Sequence, residues 1–313
     1  VSDAATLQQR ADAGDLAAQT QLAGMMLVER GAAHAPAEAM RLLESAAAKN
    51  NADALLLLAV LAARGEGRAQ SWADAIQFVD RAAQAGDARA QGQITLLGAP
   101  DKFDATAWFA PAPMQAHCPP SRVFTMQGFL PRAICDWLIA RARPQLEAAR
   151  VKNPVRGGAN VDAIRTNSGM GFSVLDSDLV LELTHARIAA ALGAPVSHQE
   201  PTNILHYEVG EEYKPHFDFI DPGEARFQHE LQRIGQRNVT FLVYLNDDYE
   251  GGATAFPRLD WSFKGQAGDA LIFCNTLPDG RPDKQTLHAG TAPTSGVKWL
   301  LSKWVRDRPL PLI

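Results

Sequence analysis

The sequence predicts an α+β protein: an N-terminal α-helical repeat solenoid, then a double-stranded β-helix (jelly-roll) domain with buttressing helices. Three observations carry this prediction. The first hundred residues repeat every 36 positions with apolar residues at helical spacing. From residue 121 onward, short strand-like runs alternate with Gly, Pro and Asp. Between them, residues 99–120 hold five prolines and no periodicity.

The repeat is visible in Gly14, Asn50 and Gly86, each 36 residues from the last. With that offset Ala18, Ala54 and Ala90 coincide, as do Leu22, Leu58 and Ile94. The second half of the unit matches as well, Ala39 with Ala75, Met40 with Ile76, Leu43 with Val79 and Ala46 with Ala82. Small alanines at facing positions let paired helices approach closely, and two helices per unit stack as a solenoid. The expected division is repeats over 1–98, a Pro-rich linker over 99–120 packed through Trp108 and Phe109, and a second domain over 121–313.

In that second domain, Pro131 opens an amphipathic helix, PRAICDWLIARARPQLEAAR, in a position where proline is tolerated. A second helix is predicted from Ser177 to Leu192, closed by Gly193. Both are expected to buttress one sheet. The strand-like runs are TNILHYEV, YKPHFDF, NVTFLVYLN, GATAFP, DALIFCN, QTLHAG and VKWLLSKWV.

Hydrophobic content of 46% and charged content of 21% are those of a globular protein. The net charge of −5 offers no basic footprint for nucleic acid, and ALLLLAVLAA is too short to span a bilayer. Three widely spaced cysteines form neither a disulfide framework nor a CxxC pair, which favours a reducing compartment, cytoplasm before periplasm. The chain starts at Val1, so a trimmed start is open.

Chemistry enters at YKPHFDF. Residues i and i+2 of a strand project from one face, so His216 and Asp218 can offer an imidazole nitrogen and a carboxylate oxygen to one ion. His288, 72 residues later, is the candidate third ligand. Two histidines and a carboxylate on one face leave other positions open, the arrangement of non-haem Fe(II) oxygenases. A half-exposed polar strand is the plainer alternative for the His-x-Asp pair. Lys298 lies ten residues after His288 among apolar neighbours. Pointing inward, it needs an anion, and the distal carboxylate of 2-oxoglutarate is one. Pointing outward, it is an edge-strand lysine that blunts pairing.

Residues 121–306 resemble the catalytic domain of prolyl 4-hydroxylases, within the Fe(II)/2-oxoglutarate dioxygenases. The matching motifs run in family order: RTNSGMGF, ILHYEVGEEYKPHFDF, QRNVTFLVYLND, GGATAFP, GDALIFCN, then LHAG and GVKWLLSKW. The N-terminal helices resemble Sel-like repeats of the tetratricopeptide class, with two full units and the first helix of a third. The resemblance implies His216, Asp218 and His288 as iron ligands. It implies Lys298, Tyr207 and Thr254 as partners of the distal 2-oxoglutarate carboxylate, and Trp304, Arg237 and Arg165 as substrate-side residues. It further implies Fe(II), 2-oxoglutarate and O2 as reactants, succinate and CO2 as coproducts, and ascorbate as reductant.

Two departures are legible. Ala253 stands where the family usually has an acidic residue, and Ile220–Gln236 is charged and helix-like. The segment Val151–Ile164 resembles in position the loop that folds over a peptide substrate, with an ordinary mobile surface loop as the alternative. The expected function is hydroxylation of a prolyl residue in a protein or peptide recruited by the repeats. The alternatives are hydroxylation of a free amino acid or natural-product precursor, and a non-catalytic repeat-based interaction protein.

Overall fold

The computed structural model describes residues 4–28, 32–110, 113–120, 122–148, 151–153, 158–160 and 165–311. Their contacts divide into two compact units. One holds the described residues within Val1–Ala110 and Ser173–Ala190, the other those within Pro111–Phe172 and Ala191–Pro311.

The first unit opens with helices α1 (Ala4–Asp12), α2 (Leu16–Leu27), α3 (Pro36–Ala48), α4 (Ala52–Arg64), α5 (Trp72–Gln84) and α6 (Ala88–Leu97). The 36-residue repeat has a local cause. Asp15, Asn51 and Asp87 cap α2, α4 and α6 by accepting the backbone N–H of Ala18, Ala54 and Ala90. Before each cap the chain turns through a left-handed residue, Gly14, Asn50 or Gly86. The small residues that follow, Ala18, Ala54 and Ala90, are fully buried at the helix contacts. The linker includes a single helical turn, α7 (Ala105–Trp108), and the Phe109 ring lies 5.5 Å from that of Trp72.

The predicted second helix forms as α9 (Leu179–Leu192) and ends at Gly193, which has φ +63°. Residues 173–190 group with the repeats in the first unit. Gln93 of α6 accepts the backbone N–H of Leu179 at 2.9 Å, and Arg64 of α4 reaches Glu182 at 3.4 Å. Glu182 is buried, and Ser177 and His185 also bond it, at 2.6 and 3.2 Å. Burial would raise its pKa, but His185, Arg64 and Ser177 outweigh that and bring it down to about 2.

In the second unit, α8 (Arg132–Ala142) is shorter than predicted. Pro144 lacks the N–H an α-helix needs, and the chain passes into a 3-10 turn at Arg143–Gln145. The strands follow in chain order: β1 (Gln115–His117), β2 (Val123–Met126), β3 (Glu147–Ala148), β4 (Val151–Asn153), β5 (Gly158–Asn160), β6 (Ser168–Phe172), β7 (Thr202–Tyr207) and β8 (Tyr213–His216). After α10 (Gln228–Ile234), in the charged stretch, come β9 (Arg237–Tyr244), β10 (Tyr249–Gly251), β11 (Thr254–Phe256), β12 (Trp261–Phe263), β13 (Ala270–Cys274), β14 (His288–Gly290), β15 (Pro293–Gly296) and β16 (Lys298–Arg306).

They build an eight-stranded sheet, β1-β2-β13-β9-β16-β7-β6-β3, and a four-stranded sheet, β12-β11-β14-β8, the two faces of a jelly roll. Alternation supplies the core: Leu205 and Tyr207, Leu242 and Tyr244, Leu271 and Phe273, and Leu300 join Phe256 and Tyr249 in one cluster. β4 and β5 pair as a hairpin where a substrate-covering loop was expected; residues 154–157 and 161–164 of that loop lie outside the described residues.

Candidate metal and cosubstrate site

His216 and His288 stand directly opposite each other in the β8–β14 pairing. β8 ends at His216, so Asp218 reaches the same place from a bend just beyond the strand, not from the strand itself. One ligand atom from each of the three residues lies within 4.8 Å of the others. His216 Nε2 is 3.6 Å from Asp218 Oδ1, and His288 Nε2 is 3.5 Å from Asp218 Oδ2.

Proton positions follow from the neighbours. His216 Nδ1 lies 2.8 Å from the carbonyl of Lys214, and His288 Nδ1 lies 3.0 Å from that of Thr286. A carbonyl only accepts, so each Nδ1 carries the hydrogen and each Nε2 presents a lone pair. Burial lowers the His288 pKa to about 4, which keeps that ring neutral near pH 7. Burial would raise the Asp218 pKa, but the two imidazoles and a hydrogen bond from Thr240 hold it well below the usual carboxylate range. Two lone pairs and an anion therefore converge with no donor among them. That set fits a divalent cation. Tyr213 stacks on His216 with ring centroids 3.4 Å apart, and Phe273 and Phe256 flank His288 at 4.6 and 5.8 Å.

The three residues open onto a cavity that Tyr207, Thr254, Lys298 and Trp304 also line. Its floor is a ladder of cross-strand pairs between β7 and β16. Lys298 faces Tyr207, Leu300 faces Leu205, and Ser302 faces Asn203. The cavity is thus cationic and phenolic at one end, apolar in the middle, and amide and hydroxyl at the other.

At the first end, Lys298 is fully buried. Its Nζ donates to Gly252 O at 2.7 Å and lies over the rings of Tyr207 and Tyr244, and no carboxylate among the described residues pairs with it. Burial lowers its pKa to about 7. Tyr207 and Thr254 are buried beside it on the cavity wall. Thr254 Oγ lies 2.9 Å from the hydroxyl of Tyr244, which in turn donates to Phe263 O at 2.8 Å. Tyr244 has one proton, so while it serves Phe263 O the Thr254 hydroxyl must donate to Tyr244. For Thr254 to donate to a ligand, Tyr244 must turn its proton to Thr254. An unpaired buried ammonium with two hydroxyls beside it matches what a carboxylate accepts.

Of the substrate-side residues singled out in the sequence, Arg165 and Trp304 line the cavity and Arg237 does not. Arg237 donates to both oxygens of Glu200, at 2.6 and 2.9 Å, and its guanidinium stacks 3.7 Å from the centre of the Trp304 ring. It is a support beneath Trp304. The partly buried carboxylate of Glu200 claimed its hydrogen bonds, a partner 37 positions distant that the sequence does not announce. The indole N–H of Trp304 is buried without an acceptor among the described residues. Sequence reasoning also passed over Thr240, Tyr244 and Asn275, polar residues inside runs that read as ordinary strand.

Residues 202–306 match the family model of the 2OG-Fe(II) oxygenase superfamily. The chain is 34% identical over 205 residues to the probable prolyl 4-hydroxylase 10 of Arabidopsis thaliana, covering 59% of this chain and 68% of that protein. It is 32% identical over 201 residues to prolyl 4-hydroxylase 1 of the same plant, covering 60% and 69%. Among solved structures, the viral collagen prolyl hydroxylase of Paramecium Bursaria Chlorella virus-1 aligns at 24% identity and a TM-score of 0.47, over 61% of this chain and 99% of that one. A Sel1 repeat protein from Oxalobacter formigenes aligns at 33% identity and a TM-score of 0.28, over 29% and 37%. Those enzymes use Fe(II), 2-oxoglutarate and O2, and this chain belongs to their family, the prolyl 4-hydroxylase-like 2OG-Fe(II) oxygenases.

Proposed function

We propose that this oxygenase hydroxylates a prolyl residue of a protein or peptide, with His216, Asp218 and His288 holding Fe(II) and Lys298, Tyr207 and Thr254 receiving the distal carboxylate of 2-oxoglutarate. The observation that carries the reading is the pairing, across one cavity, of three donor-free ligand atoms with a buried ammonium that has no counter-ion. Bound iron supplies the redox chemistry that couples decarboxylation of 2-oxoglutarate, to succinate and CO2, with hydroxylation of a C–H bond.

The chain's own residues do the positioning. Leu205, Leu242 and Leu300 make part of the cavity wall apolar and keep water from it. Tyr213 and Phe273 fix the two imidazole planes. Asn203 and Ser302, at the end of the β7–β16 ladder away from Lys298, together with Arg165 and Trp304 on the cavity wall, offer hydrogen bonds that peptide carbonyls accept. Ascorbate serves as reductant, and the helical unit recruits the protein that carries the proline.

Incubation with Fe(II), 2-oxoglutarate, ascorbate and proline-containing peptides tests this by mass spectrometry. The expected result is succinate formation with gain of one oxygen atom on a prolyl residue. Oxygen gain confined to free amino acids or small metabolites would overturn the peptide substrate. An Asp218→Ala trap used to capture partners should retain a proline-bearing protein through the helical unit.

A further inference from the structure

Asp218 is held by more than its charge. Thr240 Oγ donates to Asp218 Oδ2 at 2.7 Å, and the amide of Asn275 donates to Thr240 Oγ at 2.9 Å. Both residues are fully buried, Thr240 on β9 and Asn275 just past the end of β13. The direction of the chain of bonds is fixed by chemistry. An ionised carboxylate cannot donate, so the Thr240 hydrogen goes to Asp218, and Thr240 must then accept from Asn275. Turning the Asn275 amide over would set two oxygens face to face without a proton. Asn275 is anchored by its own backbone, which donates to Asn238 O at 2.7 Å and accepts from Asp283 N–H at 2.9 Å. Its side-chain oxygen is buried with no donor among the described residues. The fold carries that cost while the amide stays aimed at Thr240.

We infer that Asn275 and Thr240 form a relay that positions the Asp218 carboxylate for the metal, reserving Oδ2 for the hydroxyl and leaving Oδ1 as the free oxygen. The inference rests on the metal site proposed above. Without the Thr240 hydrogen, Asp218 can rotate and offer both oxygens, and the two histidine nitrogens lose a fixed third partner. Thr240 and Asn275 are positioning residues. Outer hydrogen bonds of this kind change metal affinity by about 10- to 100-fold in other sites.

The test uses metal-stripped full-length protein titrated with Co(II), read by its visible absorption, alongside thermal unfolding of the same metal-free samples. Thr240→Val should weaken Co(II) binding about 10-fold or more and change the band pattern. Thr240→Ser, which keeps the hydroxyl, should stay within about threefold of the unaltered protein. Asn275→Ala should weaken binding less than Thr240→Val does, and should add nothing in a Thr240→Val background, because it acts through the hydroxyl. Should Thr240→Val not fold, Asn275→Ala and Thr240→Ser decide the matter. Lowered stability with unchanged Co(II) affinity and spectrum would overturn the relay and leave a structural role only. Absence of Co(II) binding by the unaltered protein would instead overturn the metal site itself.

Discussion

Replacing Lys298 by methionine isolates the energetic signature of the cavity. In the unfolded chain the lysine has its usual pKa of 10.5, and in the fold burial lowers it to about 7. The folded state therefore binds the proton less tightly than the unfolded state. Below about pH 7 both states are protonated and the full penalty, about 5 kcal/mol, weighs against folding. As pH rises from about 7 to 10.5 the folded state releases its proton first, and stability increases. Over the interval from about pH 7 to about pH 9 the gain amounts to about 2 kcal/mol.

A methionine of similar length carries no such penalty, so Lys298→Met should be the more stable protein near pH 7 and should lack the rise. Urea unfolding of both proteins across this interval measures the difference, with the variant cancelling all other titrations. The substitution should also abolish stabilisation by 2-oxoglutarate added with Mn(II), since ligand linkage requires binding. Parallel stability profiles for the two proteins would refute the reasoning, because they would mean that the ammonium is neither buried nor unpaired.

Two further outcomes follow from ion pairs described above. Glu200→Gln should loosen the stack of Arg237 under Trp304; peptide KM is expected to rise about three- to tenfold, with the affinity for 2-oxoglutarate unchanged by calorimetry. Arg64→Ala leaves Glu182 buried with His185 and Ser177 as its remaining hydrogen-bond partners; thermal or urea unfolding should show a loss of about 2–3 kcal/mol, while Co(II) affinity stays the same.

The parts of this molecule that the sequence announces are those where local spacing carries the chemistry. His216 and Asp218 are two apart, and Lys298 follows His288 by ten, so a short window already suggests the cavity. The 36-residue period is legible because each repeat must turn through a left-handed residue and then cap a helix. What stayed hidden depends on partners distant in sequence. Thr240 reads as a residue suited to strands until Asp218, 22 positions away, is found at its hydroxyl. Arg237 reads as a substrate-side arginine until Glu200 is found to hold it. The helix Leu179–Leu192 sits between sheet segments in sequence, yet Gln93 and Arg64 bind it from the repeats. Pro144 is a different kind of miss, since its effect is local and could have shortened the predicted helix.

The floor of the cavity alternates with its reverse side along β16. Lys298, Leu300 and Ser302 face in, while Trp299, Leu301 and Lys303 pack behind. Slippage by a single position would put an indole where the ammonium stands and Lys303 where Ser302 faces Asn203. The tight corner before β16 guards against that error. Gly296 has φ +72°, and a methyl group there would come within 2.5 Å of the Asp248 carbonyl, so the backbone is pinned two residues ahead of Lys298. A hydrogen atom in place of a side chain at that corner thus keeps the charge of the whole chamber at its proper depth.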